Sequence, residues 1–370
     1  MDINYKINNQ YHKIYIKKDI IKSIYQDLVN LKTDRKILFI YDPNINKKFI
    51  KKIKDNLKIL NNKFFFMPLK GLKKSKNEKT LFKIINFLIN ENFTKKSVII
   101  SCCGGVIGDL SGLAASLYLR GLFYFHIPST MTSIVDSCIG GKTAINYRNI
   151  INSIGTYYHP KSVFISNEII NKMPEREYLA GIPEIIKCGL IHKNNILKIL
   201  TIHNKEIKKK NFNIVSKLIA ECLKTKIYFV KNDIEENNKR LCLNFGHTFA
   251  HSFEMATQSF YKKELLRHGE AVGVGMLAEI YYGNNGKNKL YRLLEKILIQ
   301  FNLPTEIYYN KNLKAKMQNE IYKNLFLDKK KIGSSPRYIN LKKIGFPIVQ
   351  MMTNDTLMNE TIFNHLSYSK

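Results

Sequence analysis

An apolar run, a pair of glycines and a stretch rich in Ala and Leu follow one another directly between residues 97 and 119. The run at 97–102 is typical of a buried strand, Gly104 and Gly105 interrupt it, and the pattern of 110–119 predicts a helix. This order brings backbone N–H groups and a helix N-terminus up to a phosphate in many proteins. It is also common in scaffold turns that bind nothing, so both interpretations stay open here.

The chain before this turn alternates strand-type and helix-type segments. Residues 3–16 alternate apolar and polar side chains around Asn8-Asn9 and predict a hairpin. Further strands are predicted at 37–41 and 64–66, and helices at 20–31, 48–60 and 81–89. Strands alternating with helices predict an α/β fold, a Rossmann-like domain with a parallel sheet whose ligands collect at the carboxyl ends of the strands.

Beyond Pro174 the sequence pattern changes from strand-type segments to long helix-type segments. We therefore place the domain boundary near Met173, with an α/β domain at 1–173 and an all-helical domain at 174–370. Helices are predicted at 177–190, 212–230, 243–256, 270–282 and 289–300, and one short strand at 338–341.

The net charge of +31 suggests a nucleic acid or an anionic membrane as partner. Only eight of the 60 basic residues are arginine, however, and the lysines are scattered along the chain. Proteins that recognise bases and phosphates favour arginine, whose guanidinium makes two parallel hydrogen bonds. Abundant Lys, Asn and Ile are instead the amino-acid composition expected of a protein from an AT-rich genome. We predict neither nucleic acid nor membrane as a partner.

The remaining bulk features predict a cytoplasmic protein. No segment reaches the length of a transmembrane helix, and the N-terminus lacks the basic-then-apolar layout of a signal peptide. Six cysteines without metal-type spacing suit free thiols in a reducing compartment.

Several acids and histidines in the second half could hold a metal. His247 and His251 are four residues apart and so share one helical face, a spacing that often binds zinc with a carboxylate as third ligand. Two unrelated histidines would give the same spacing. His268 lies at a helix start, and Glu184 and Lys187 lie one turn apart, as in an ordinary helical ion pair.

A second glycine turn, Gly140-Gly141-Lys142-Thr143, follows Asp136 and the strand end at 126–130. Together with the first turn, this order of motifs resembles the 3-dehydroquinate synthase family and its sugar-phosphate cyclase relatives, and the resemblance extends over nearly the whole chain. It implies a phosphate-eliminating lyase of the shikimate pathway, which converts 3-deoxy-D-arabino-heptulosonate 7-phosphate to 3-dehydroquinate.

The resemblance also implies cofactors and site residues. It implies NAD and Zn²⁺ or Co²⁺, with the metal on Glu184, His247 and His268, while His251 faces the substrate instead. The substrate positions are Asp136, Lys142, Lys187, Lys226, Arg240, Asn244, His251 and a lysine from Lys329 and Lys330. The NAD positions are Asp42, Asn44, Lys76, Gly105, Val106, Ile107, Gly108, Asp109, Ser129, Thr130 and Lys142. Arg120 matches an arginine that reaches the neighbouring subunit's site, which implies a homodimer.

The chain departs from the family pattern only around the dinucleotide. Ile151 stands where the family has a cofactor-contacting lysine, and Lys172 where it usually has a threonine. Cys103 replaces the first glycine of the first turn, and in the loop 70–76 only Lys76 keeps its register. We therefore expect an active enzyme with weaker NAD retention.

Overall fold

The structure is a computed structural model that describes residues 1–31, 36–57, 63–148, 150–262, 264–327 and 335–368. The chain forms two compact units, Met1–Tyr178 and Leu179–Lys370. The unit boundary thus lies slightly beyond Met173, and the functional division of the chain at Met173 stays a prediction. None of the helices within these ranges is long and apolar enough to cross a membrane.

Seven strands of the first unit form one sheet, in the order β1-β2-β9-β6-β5-β3-β4. All neighbours pair in parallel except β1 with β2, which form the predicted hairpin. β7 and β8 form a separate antiparallel ribbon. The strands are β1 (Asp2–Ile7), β2 (Gln10–Lys17), β3 (Lys36–Tyr41), β4 (Lys63–Pro68), β5 (Val98–Cys103), β6 (Phe123–Pro128), β7 (Lys142–Tyr147), β8 (Ile150–Tyr157) and β9 (Ser162–Ser166).

The hairpin turn follows from its two asparagines. Asn8 and Asn9 have φ angles of 46° and 62°, the pair of left-handed conformations that a tight two-residue hairpin turn requires. Asparagine tolerates this region better than most residues with a Cβ, because its side chain hydrogen-bonds locally.

The helices of the first unit cover a sheet whose central strands are almost entirely buried. β5 has every residue buried, as expected of a parallel strand with both faces covered. The parallel sheet and the predicted Rossmann-like class are confirmed. The helices are α1 (Ile21–Asn30), α2 (Lys47–Leu57), α3 (Glu78–Asn90), α4 (Gly105–Leu117), α5 (Asn167–Lys172) and α6 (Glu175–Leu179), which contains the unit boundary.

The helix after the first glycine turn begins earlier than predicted. The sequence pattern indicates residues 110–119, but α4 begins at Gly105 and ends at Leu117. Glycines in a first turn weaken the apolar signal, although tertiary packing holds that turn helical. Leu119 and Arg120 then take left-handed φ angles of 49° and 64°, which end the helix.

Within the described residues, the second unit is mainly helical and has four short strands, whereas an all-helical domain with one short strand was predicted. Its helices are α7 (Ile182–Ile191), α8 (Ile196–Ile202), α9 (Asn204–Lys208), α10 (Phe212–Lys231), α11 (His247–Tyr261), α12 (His268–Asn284), α13 (Lys289–Gln300), α14 (Lys314–Leu327) and α15 (Asp355–Asn364). Its strands are β10 (Ile307–Tyr309), β11 (Arg337–Leu341), β12 (Pro347–Met351) and β13 (Leu366–Tyr368). β11 contains the predicted strand at 338–341.

Two of the predicted helices need correction. The pattern at 177–190 covers two helices, α6 and α7, which break between Leu179 and Ile182. The pattern at 243–256 begins inside a 3₁₀ turn, Lys239–Asn244, and α11 itself starts at His247. Gly246, with φ at 84°, makes the bend between them.

Close backbone contacts explain why α7, α11 and α12 pack so tightly. A Cβ on Gly269 would lie 1.6 Å from the carbonyl oxygen of Ala180, and one on Gly275 would lie 2.0 Å from that of Gly246. Only glycine permits these approaches. As a result, the starts of all three helices come together in the second unit.

Candidate active site

Glu184, His247 and His268 converge at this junction. Glu184 is on the first turn of α7, and the two histidines are the first residues of α11 and α12. Oε1 of Glu184 lies 3.5 Å from Nε2 of His247 and 3.7 Å from Nε2 of His268. One ligand atom from each residue lies within 4.8 Å of the others.

The donor set fits a divalent metal such as Zn²⁺ or Co²⁺. Glu184 is 1% exposed, and neither of its oxygens receives a hydrogen bond of regular geometry within the described residues. The ammonium of Lys187 lies close to Oε2 of Glu184, while the imidazoles face Oε1. Lys187 supplies a cation at Oε2, whereas two imidazole nitrogens converge on Oε1, as in a Glu-His-His ligand set. Three protein ligands leave a position for substrate, as in catalytic zinc sites.

His251 belongs to a different group of potential ligands. Its ring centroid lies 5.7 Å from that of His247 and 6.0 Å from that of His268. Within the described ranges, two groups of three could hold a metal: Glu184 with His247 and His268, and His251 with Glu254 and His268. Neither combines His247 with His251, the pair that spacing alone suggests.

The remaining candidate substrate residues of the second unit are mostly buried cations. Lys187 is 1% exposed, Lys226 5% and Arg240 2%. Nη1 of Arg240 donates to the carbonyl oxygen of Ile234 at 2.5 Å, and Nδ2 of Asn244 donates to Oε1 of Glu236 at 2.8 Å. Lys329 and Lys330 lie outside the described residues.

In the first unit, the glycine turn places the start of α4 at the carboxyl end of β5. The backbone N–H of Ser129 donates to the carbonyl oxygen of Cys103 at 2.9 Å, so the predicted 129–130 segment lies beside the turn. A Cβ on Gly104 would lie 2.9 Å from Thr130, and one on Gly105 would lie 3.3 Å from Oγ of Ser137. Backbone N–H groups at a helix start and small neighbours suit an approaching phosphate.

Asp109, on the first part of α4, is held by a lysine from another loop. Nζ of Lys76 lies 2.5 Å from Oδ2 of Asp109 and 2.5 Å from Oδ1 of Asn152. Burial raises the pKa of Asp109, and the ammonium of Lys76 opposes this shift. Lys76, although it comes from the altered 70–76 loop, therefore reaches the helix start, and its role in NAD binding stays a prediction.

Asp42 ties the same loop to the sheet. Its Oδ1 accepts the backbone N–H of Asn44 at 2.9 Å, and its Oδ2 accepts that of Gly71 at 3.1 Å. Asp136 lies in a π-helical turn, Ser133–Ser137, and Lys142 begins β7 with an exposed side chain. A cavity of about 20 Å³ beside Asp109 and Lys142 has space for one water molecule.

A buried polar network under the turn was missed by the sequence analysis. Nδ1 of His126 lies 2.7 Å from Oγ of Ser101, which lies 2.9 Å from the hydroxyl of Tyr124. That hydroxyl donates to the carbonyl oxygen of Gly108 at 3.1 Å. The sequence signal for this network is the presence of Ser101 and His126 inside the otherwise apolar strands β5 and β6.

The chain is similar to known proteins over most of its length. Residues 66–180 match the family model described as 3-dehydroquinate synthase N-terminal, and residues 181–331 match 3-dehydroquinate synthase C-terminal. The 3-dehydroquinate synthase of Dictyoglomus thermophilum is 35% identical over 93% of this chain and 92% of that protein. The chain belongs to the 3-dehydroquinate synthase family.

Two solved structures of synthases share this fold. A 2-deoxy-scyllo-inosose synthase complexed with carbaglucose-6-phosphate, NAD⁺ and Co²⁺ aligns with a TM-score of 0.81 at 22% identity, covering 99% of this chain and 100% of that one. The 2-epi-5-epi-valiolone synthase of Streptomyces hygroscopicus, with NAD⁺ and Zn²⁺ bound, aligns with a TM-score of 0.84 at 18% identity, covering 97% and 98%.

Of the residues that depart from the family pattern, Ile151 and Lys172 are exposed and Cys103 is buried in a strand. Ile151 is 60% exposed on β8, directly before the Asn152 that contacts Lys76. Cys103 is fully buried at the end of β5, and burial raises the pKa of its thiol well above the usual range. Lys172 is exposed at the end of α5. Arg120 is exposed after α4, and its contact with a partner subunit stays a prediction.

Proposed function

We propose that this protein is a cytoplasmic, homodimeric 3-dehydroquinate synthase. It converts 3-deoxy-D-arabino-heptulosonate 7-phosphate to 3-dehydroquinate and phosphate, with NAD and Zn²⁺ or Co²⁺ as cofactors, and serves chorismate and aromatic amino acid biosynthesis. The convergence of Glu184, His247 and His268 in a chain of this family is the observation that carries the proposal. A nucleic-acid-binding role would not explain this buried cluster of one glutamate and two histidines.

The metal would be held by Glu184 and by the Nε2 atoms of His247 and His268. Bound there, it supplies Lewis acidity toward hydroxyl oxygens of the substrate. The backbone carbonyl oxygen of Phe245, 3.2 Å from Nδ1 of His247, holds the proton on Nδ1, which leaves the lone pair on Nε2, the nitrogen that would ligate the metal. Lys187, buried beside Glu184, balances the carboxylate charge and provides a donor next to the metal position.

NAD would lie at the start of α4, where the backbone N–H groups of Gly105–Asp109 would hold its pyrophosphate. It supplies a transient hydride acceptor that is restored within each turnover, so no net redox change occurs. Lys76 is positioned on Asp109 by Asn152, which places a cation at this helix start. Asp42, Asn44, Ser129 and Thr130 shape the surrounding strand ends.

The substrate carries a carboxylate and a phosphate, and both need fixed positive partners. We assign this role to Lys142, Lys187, Lys226 and Arg240 and to Lys329 or Lys330. Asp136, Asn244 and His251 are the remaining residues that we assign to substrate binding. Arg120 completes the site of the partner subunit. Lys226 and Arg240 are almost fully buried, which suits cations that exchange water for a bound anion.

Phosphate release from the heptulosonate phosphate tests this function. The reaction mixture contains the protein, substrate, NAD and Zn²⁺, and we expect release that requires all four. His247→Ala should lower the rate at least about 100-fold, because it removes a metal ligand whereas outer-shell changes cost 10–100-fold. A hexose 6-phosphate, which lacks the carboxylate, serves as control substrate. Faster release from that control would contradict the proposed substrate.

A further inference from the structure

The imidazole of His268 lies between two carboxylates. Its Nε2 is 3.7 Å from Oε1 of Glu184, and its Nδ1 is 3.1 Å from Oε2 of Glu254. Glu254 is on α11, two turns after His247, and its side chain is 14% exposed. Each ring nitrogen of His268 therefore lies next to a different carboxylate.

A neutral imidazole has one N–H and one lone pair, so only one of these contacts can be a hydrogen bond from the ring. The contact to Glu254, at 3.1 Å, is within hydrogen-bonding distance, and the contact to Glu184, at 3.7 Å, is not. A carboxylate can only accept a hydrogen bond, so the short contact to Glu254 places the proton on Nδ1. The lone pair is then on Nε2, the atom that faces Glu184. A metal binds the lone pair, so Glu254 selects which nitrogen of His268 can ligate.

A backbone acceptor gives His247 the same tautomer, with the proton on Nδ1. Its Nδ1 is 3.2 Å from the carbonyl oxygen of Phe245, which can only accept, and its Nε2 is 3.5 Å from Oε1 of Glu184. Both imidazoles therefore present Nε2 to the same carboxylate oxygen. A backbone acceptor orients His247, and a side-chain acceptor orients His268.

Glu254 could instead be a metal ligand together with His251 and His268. That assignment needs the lone pair on Nδ1 of His268, while a metal at Glu184 needs it on Nε2. A neutral ring cannot provide both. The Glu184 group is the more buried of the two, and both of its histidines bring Nε2 to one carboxylate oxygen, Oε1 of Glu184.

We propose that Glu254 is a positioning residue that fixes the tautomer and orientation of His268 and does not ligate the metal. This inference rests on the proposed function, because it takes Glu184, His247 and His268 as the metal site. It adds a residue that acts on the metal only through His268.

Zinc affinity, measured by competition with a chromophoric chelator, is the first test. Glu254→Ala should weaken zinc binding about 10–100-fold, the usual cost of losing an outer-shell acceptor. Glu254→Gln keeps a neutral acceptor and should cost less than the Ala variant. Glu264 gives the matched control, because it pairs with Arg267 just before α12 and is exposed. Glu264→Ala and Glu264→Gln should leave zinc affinity unchanged.

The tautomer itself is the second test, and it needs neither metal nor activity. In metal-free protein with ¹⁵N-labelled histidine, correlations from ring carbons to ring nitrogens should show His268 protonated on Nδ1. Glu254→Ala should shift His268 toward a mixture or the Nε2–H form, and Glu254→Gln should retain Nδ1–H. His247, held by the main chain, serves as an internal reference in all variants.

Three results would overturn the proposal. The first is an Nε2–H tautomer in the wild-type protein, which decides the matter even if Glu254→Ala does not fold. The second is a folded Glu254→Ala variant with unchanged zinc affinity and tautomer. The third is loss of one carboxylate from the zinc shell in Glu254→Gln, seen by X-ray absorption, which would make Glu254 a ligand. A wild-type protein that binds no zinc would contradict the proposed function, while the tautomer result would still decide the role of Glu254.

Discussion

His268 is the most accessible of the proposed metal ligands, and this makes it the most informative single residue. Its side chain is 34% exposed, compared with 11% for His247 and 1% for Glu184. Removing a partly exposed side chain disturbs the core little, so a loss of metal can be separated from a loss of folding.

His268→Ala should weaken zinc binding more than about 100-fold, beyond the loss expected for an outer-shell residue. His251→Ala is the matched control and should retain one zinc per chain, because His251 lies in the other ligand group. Zinc content after dialysis against a weak chelator measures both. Stoichiometric zinc in His268→Ala would contradict the assignment.

The choice between these histidines lies beyond what spacing in the sequence can decide. His247 and His251 share a helical face, but whether they share a metal depends on where the carboxylate of α7 comes to lie. That position is set by the contacts of Gly269 and Gly275, which are tertiary. The family resemblance supplied the set with Glu184 and His268, and the structure brings that set together.

Ile151 offers a residue-scale test of the NAD site. A hydrogen bond to a charged group contributes about 1.5–3 kcal/mol, so Ile151→Lys should tighten NAD binding roughly 10–100-fold and leave zinc affinity unchanged. Ile154→Lys adds the same charge on the same strand and controls for a general electrostatic effect. Calorimetry measures both variants. Equal tightening in the two, or none in Ile151→Lys, would show that the residue-by-residue comparison is wrong in this loop.

At the scale of elements, β6 supports the start of α4 through a neutral histidine. Burial lowers the pKa of His126 to about 3, because the imidazolium is poorly solvated between the sheet and the helix. Its ordinary value in an unfolded chain is about 6.5. The unfolded state therefore binds a proton between these values, and stability is lost as the pH falls below 6.5.

His126→Gln should remove this pH dependence while keeping a hydrogen-bonding side chain next to Ser101. Each pH unit below 6.5 costs the wild-type protein about 1 kcal/mol through this one group. We therefore expect the difference in urea unfolding free energy between wild type and variant to shrink from pH 7 to pH 5. A difference that stays constant over this range would contradict a neutral buried His126.

The element boundaries show where sequence patterns stop being informative. α10 and α13 follow their apolar periodicity closely and agree with the prediction. The start of α4 does not, because Gly105 and Gly108 carry no apolar signal. The break between α6 and α7 also differs from the prediction. It lies where the backbone of Ala180 contacts Gly269, a tertiary contact that the local pattern does not contain.

At the scale of the whole molecule, the shared-site proposal predicts complementation between two inactive chains. Arg120→Ala and His247→Ala should each be inactive alone, and mixing them should restore part of the activity. In a mixed dimer, one site combines an intact metal set with an intact incoming arginine. Light scattering gives the oligomeric state, and a tagged chain shows subunit exchange. Exchange without recovered activity would contradict the shared site.

The balance of products against cofactor tests the proposed reaction most directly. With limiting NAD and excess heptulosonate phosphate, NMR should show one 3-dehydroquinate formed for each phosphate released, over many turnovers per NAD. Absorbance should show no accumulation of NADH, because the proposed reaction has no net redox change. NADH accumulating in step with substrate consumption would instead indicate a dehydrogenase. Phosphate release without the carbocycle would likewise contradict a 3-dehydroquinate synthase.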